Sequence, residues 1–78
     1  MREFKICIRS VQDVLKFVSL ATAQPYQIQV GDDRHQVNGK SFMEMFCLNF
    51  RKPLTVTVSC SEEEFRQLLA GADRFLVK

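Results

Sequence analysis

Leu54-Thr55-Val56-Thr57-Val58-Ser59-Cys60-Ser61-Glu62-Glu63-Glu64-Phe65 holds the change of period on which the fold turns. Leu54, Val56, Val58 and Cys60 alternate with Thr55, Thr57 and Ser59, the period of two of a strand with one buried and one wetted face. At Ser61 that period stops. Ser61 and Glu64 have capping-box spacing, Glu62 to Glu64 complement the positive end of a helix dipole, and Phe65, Leu68, Leu69, Ala72 and Phe75 form an apolar stripe. A closing helix is expected, with Gly71 either inside it, at a cost of about 1 kcal/mol relative to alanine, or marking its end.

Working toward the N-terminus, Pro53 bounds the strand, and Ser41 with Glu44 repeats the capping-box spacing after the turn signal Asn38-Gly39. A short helix through about Leu48 follows. Tyr26, Ile28 and Val30 alternate with Gln27 and Gln29, and Gly31-Asp32-Asp33 supplies turn chemistry for a hairpin returning through Gln36-Val37-Asn38. Pro25 stops a helix from about Ser10 to Ala23, in which Val11, Val14, Val18 and Ala21, joined by Leu15 and Phe17, recur at helical spacing, with Asp13 three places after Ser10. Phe4, Ile6 and Ile8 mark a first strand. The order β-α-β-β-α-β-α, with one polar face on the alternating strands, predicts an α+β open-faced sandwich: a four-stranded antiparallel sheet covered on one face by three helices.

The totals narrow the classes. The chain has 78 residues, 46% of them hydrophobic, so one domain over residues 1–78 with an ordinary core is expected. Its formal charge of +2 is spread along the chain, and only Lys40, Arg51 and Lys52 are placed to converge, which argues against a nucleic-acid partner. Cys7, Cys47 and Cys60 lack the close spacing of a metal site or redox pair and read as reduced thiols, so no metal and no cofactor are expected. No run approaches the ~18 apolar residues of a membrane span and no signal-peptide pattern opens the chain, so a cytoplasmic protein with no membrane partner is expected. The single histidine, His35, falls at the hairpin without a surrounding constellation and reads as a surface residue.

At this element order, Asn38-Gly39-Lys40-Ser41-Phe42-Met43-Glu44-Met45-Phe46-Cys47-Leu48 resembles the phosphocarrier protein HPr of the bacterial sugar phosphotransferase system, whose second helix carries Lys-Ser-Ile-Met-Gly-Val-Met-Ser-Leu. The resemblance runs without gaps from about Ile8 to Val58. It implies the HPr-like sandwich, and it places the family's His-Ala-Arg-Pro motif on Ser10-Val11-Gln12-Asp13. Ser10 thus occupies the position of the phosphoryl-accepting histidine, Gln12 that of the assisting arginine, and Asp13 adds a negative charge to the turn that would receive phosphate. No catalytic residue is expected. A phosphoserine ester is comparatively inert where imidazole both takes and gives a phosphoryl group, so Ser10 reads as a helix cap.

The resemblance also singles out Ser41, which is similar to the serine that a dedicated kinase phosphorylates in the family, and which catabolite-repression HPr keeps after losing the histidine. Against that regulatory role stands simple capping with Glu44, which occupies the family's glycine position and would face a phosphate one turn away. The second helix is apolar nearly all round, so Phe42, Met43 and Phe46, with Lys40 and with Leu15 from the first helix, form a candidate protein-binding face; the alternative is that the aromatics wedge between the helices and Phe50. Three readings follow. The favoured one is a non-catalytic HPr-like interaction or regulatory module whose partner is a kinase, a transcription regulator or a phosphotransferase-system component. The others are a phosphocarrier with a non-standard acceptor, and an HPr-shaped relic or homodimer; a monomer or weak dimer is expected.

Overall fold

In the computed structural model, which describes residues 1–77, the elements are β1 (Arg2–Ile6), α1 (Val11–Thr22), β2 (Ile28–Gly31), β3 (Gln36–Asn38), α2 (Phe42–Met45), β4 (Leu54–Val58), α3 (Glu62–Gly71) and a 3-10 turn (Asp73–Phe75). The strands form one antiparallel sheet in the order β1-β4-β2-β3. β4, the strand with the clearest alternation, is central, pairing Phe4 with Val56 on one side and Val30 with Val56 on the other. Its register puts Glu3, Lys5, Gln29, Thr55 and Thr57 on the open face of the sheet, while Ile6, Ile28, Val30, Leu54, Val56 and Val58 are buried beneath the helices. Each fully buried side chain of this kind contributes roughly 1.5–3 kcal/mol relative to exposure.

The helices divide the covering work unequally. α1 sends Val14, Phe17 and Ala21 into the core, where Phe17 meets Phe75 edge-on at 5.8 Å between ring centroids. α3 contributes Leu68, and Ala72 and Phe75 follow it inward. Among the described residues only α3 closes a full capping box, with Ser61 Oγ accepting from Glu64 N–H and Glu64 Oε1 accepting from Ser61 N–H. It ends at Gly71, whose added Cβ would stand 2.9 Å from Leu20 Cδ1, so the helix and α1 approach closely there. The expected closing helix is therefore shorter, and Phe75 reaches the core from a separate 3-10 turn.

Two further boundaries differ from the sequence reading. The second helix stops at Met45 rather than running to about Leu48; Cys47 and Leu48 are held by tighter bonds to the carbonyls of Glu44 and Met45, and buried Leu48 anchors the turn. The chain after the 3-10 turn also runs back along β1, with Cys7 N–H donating to Phe75 O, Val77 N–H to Lys5 O, and Leu76 bridging Ile6. Gly39 needs its missing side chain. A Cβ there would lie 2.9 Å from Ile28 Cγ2 and 3.2 Å from Ile28 O, and the close approach lets Gly39 N–H reach Ile28 O at 2.8 Å and sets α2 against the sheet.

Candidate functional site

The front turn of α1 is organised by its own side chains. Ser10 is extended (φ −154°) and accepts at Oγ from Asp13 N–H at 3.2 Å, satisfying one of the N–H groups left free at a helix start. The Asp13 carboxylate does not return to the cap residue, as a capping box would have it; Oδ2 accepts from Arg9 N–H at 3.1 Å, one residue earlier. Both oxygen donors of electron density at this turn, one neutral and one anionic, are thus directed at backbone N–H groups. Ser10 and Gln12 are exposed, and a groove runs from Arg9, Ser10 and Val11 to Phe50 and Arg51 of the α2–β4 loop.

α2 begins in the same way. Ser41 is its extended N-cap, Oγ accepts from Glu44 N–H at 3.3 Å, and Glu44 Oε1 accepts from Asn38 N–H at 3.4 Å rather than from Ser41 N–H, which donates to Asn38 O. The reciprocal half of the expected capping box is absent, because the turn through Gly39 and Lys40 already satisfies the cap residue's own N–H. Ser41 remains half-buried.

Four residues of the candidate face lie on adjoining helices, since α1 packs against α2. Met43 is 80% exposed, Leu15 48% and Phe46 42%, whereas Phe42 is half-buried. Their neighbour Met45 is fully buried. The rings of Phe42 and Phe46 meet edge-on at 4.7 Å, and Phe46 meets Phe50 at 6.4 Å, so the aromatics form a row that is supported from within and open on its outer side. Such edge-to-face pairs each contribute about 0.5–1.5 kcal/mol beyond area burial.

Lys40 departs from the group. Its ammonium donates to Gln24 O at 2.7 Å, bracing the carbonyl end of α1, a helix with no basic residue in its last turn. Val11 joins the face instead, 57% exposed and one turn before Leu15. The sequence held the signal for Val11: the i, i+4 pair Val11 and Leu15 is a stripe distinct from Val14, Phe17 and Ala21, and a helix on a one-sided sheet buries only one. Phe50 and Arg51 come from a loop that no periodicity marks. His35 lies elsewhere, on the exposed tip of the hairpin, with Nδ1 3.8 Å from Asp32 Oδ1.

Comparison with known proteins finds a matching family and matching solved structures. The model of the family described as PTS HPr component phosphorylation site matches residues 13–77, opening inside the first turn of α1. A solved structure that matches is the crystal structure of HPr-C-His from Thermoanaerobacter tengcongensis, 26% identical, with 92% of this chain and 90% of that chain covered and a TM-score of 0.74. Among curated proteins nothing matches.

Proposed function

This chain belongs to the HPr family of the phosphotransferase system, and from that premise we propose that it is a non-catalytic interaction or regulatory module that carries no phosphohistidine and docks on a protein partner through its α1–α2 face. The observation that carries the reading is the front turn of α1. There Ser10 Oγ takes up the Asp13 N–H, one of the N–H groups at the helix start that would face an incoming phosphoryl group, and the Asp13 carboxylate adds like charge in the same turn. Ser10 caps rather than accepts. The family's proteins are phosphocarriers rather than enzymes; on this reading a partner surface is retained without the carrier chemistry.

Exposed Val11, Leu15, Met43 and Phe46 supply an apolar centre, with exposed Lys16 on α1, Arg9 just before it and Arg51 in the α2–β4 loop. An apolar centre with a charged surround is the usual anatomy of a transient protein interface. The partner is a kinase, a transcription regulator or a phosphotransferase-system component. At Ser41 the geometry favours capping over regulation, because its hydroxyl already serves Glu44 N–H and the Glu44 carboxylate stands one turn away.

The test is capture of a partner by wild type and by Phe46→Glu, with circular dichroism to establish that the variant is folded. The reading expects a protein that wild type retains and the folded variant loses. Equal retention by both would remove the α1–α2 face from the account.

A further inference from the structure

Asp32 stands at the β2–β3 turn, yet one of its bonds leaves the hairpin. Its carboxylate is only 9% exposed. Oδ1 accepts from Arg34 N–H at 2.8 Å and His35 N–H at 2.7 Å, which shapes the turn, while Oδ2 accepts from Asn49 N–H at 2.9 Å, in the α2–β4 loop. Asn49 relays the constraint, because its own Oδ1 accepts from Arg51 N–H at 3.0 Å. The other polar tie between hairpin and loop, Lys52 Nζ to Asp33 Oδ2 at 3.1 Å, is exposed at both ends and pairs of that kind contribute little.

We propose that Asp32 is a positioning residue for the groove at the front of α1: through Asn49 it sets Phe50 and Arg51 beside Ser10, and through the Phe50 ring it backs the exposed Phe46. Its importance for binding rests on the docking function proposed above; the positioning itself does not. Bonds from N–H groups to a carboxylate are stronger than neutral ones, and three of them converge on one group shielded from water. The same N–H groups, Arg34 foremost and then Asn49 and His35, hold the Asp32 carboxyl down at about 2. The charged and titratable groups around it are His35, Asp33, Arg34, Lys52 and the Cys47 thiol, which line the same cavity.

Amide NMR of wild type, Asp32→Asn and Asp32→Ala tests the relay without any partner. Asp32→Ala should shift the Asn49 and Arg51 amide signals and speed exchange of the Asn49 N–H about tenfold or more, with Asp32→Asn intermediate because it keeps a neutral acceptor. In wild type, acid titration should move the Asn49 and Arg51 amides on the same curve as those of Arg34 and His35, with a midpoint at about 2. Should Asp32→Ala fail to fold, the wild-type titration and Asp32→Asn decide. Response of Arg34 and His35 with Asn49 and Arg51 unmoved would confine Asp32 to its hairpin and overturn the proposal. An intact relay together with undiminished partner capture by Phe46→Glu would instead count against the docking face alone.

Discussion

Two methionines on one short helix should behave as if they belonged to different proteins. Met43 is 80% exposed and Met45 is fully buried, although only Glu44 separates them. Truncating a buried methionine to alanine removes its transfer free energy and leaves a cavity, together about 2–5 kcal/mol. A domain of this length has roughly 4–12 kcal/mol of total stability, so Met45→Ala should remove a large part of it. At ~4–8 °C per kcal/mol for a small domain, melting should fall by roughly 8–40 °C. Met43→Ala touches mainly solvent and should stay within about 0.5 kcal/mol of wild type. Urea unfolding followed by far-UV circular dichroism measures both. Comparable losses in the two variants would mean that Met43 is packed, and the exposed face on which the docking function depends would not exist. If Met43→Ala is neutral, Met43→Glu becomes a clean probe: a folded protein with a charge at the centre of its candidate interface.

Three further outcomes follow from the caps and the hairpin. Ser61→Ala should cost about 1 kcal/mol in urea unfolding, since it removes the acceptor of Glu64 N–H from the one complete capping box; no change would deny that box a role. Asp32 titrates at about 2 when folded against ~3.9 in an unfolded chain, so its contribution is fully present above about 4 and is lost as pH falls toward 2. Asp32→Asn should therefore flatten the acid limb of stability between those limits, and an unchanged limb would contradict the caged carboxylate. Incubation with an HPr kinase should give no mass gain that depends on Ser41; a gain on wild type that Ser41→Ala abolishes would replace capping by regulation.

Element order was legible because each element announces itself locally. The alternation of Leu54 to Val58 and the caps at Ser10, Ser41 and Ser61 are short-range patterns, and the structure uses them where they stand. What local pattern cannot hold is where a side chain goes once a competing partner is in reach. Lys40 looks like part of a basic rim, but the open carbonyl of Gln24, 16 residues away, takes its ammonium. Glu44 and Asp13 have capping-box spacing, but Asn38 and Arg9 offer their N–H groups first. The α2–β4 loop carries no period at all, and its path depends on Asp32, 17 residues upstream of Asn49, together with the burial of Leu48. The resemblance places Leu15 on the exposed face, and Val11 shares its stripe; which of the two α1 stripes the sheet accepts is not written in any local pattern.

The account depends most on whether the front turn of α1 can accept and pass on a phosphoryl group. Radiolabelled phosphoenolpyruvate, enzyme I and this protein, beside an HPr that has its histidine, measure that directly. The account predicts label on the control and none on this chain. Label captured here, lost in Ser10→Ala and handed onward to a sugar permease domain would contradict it.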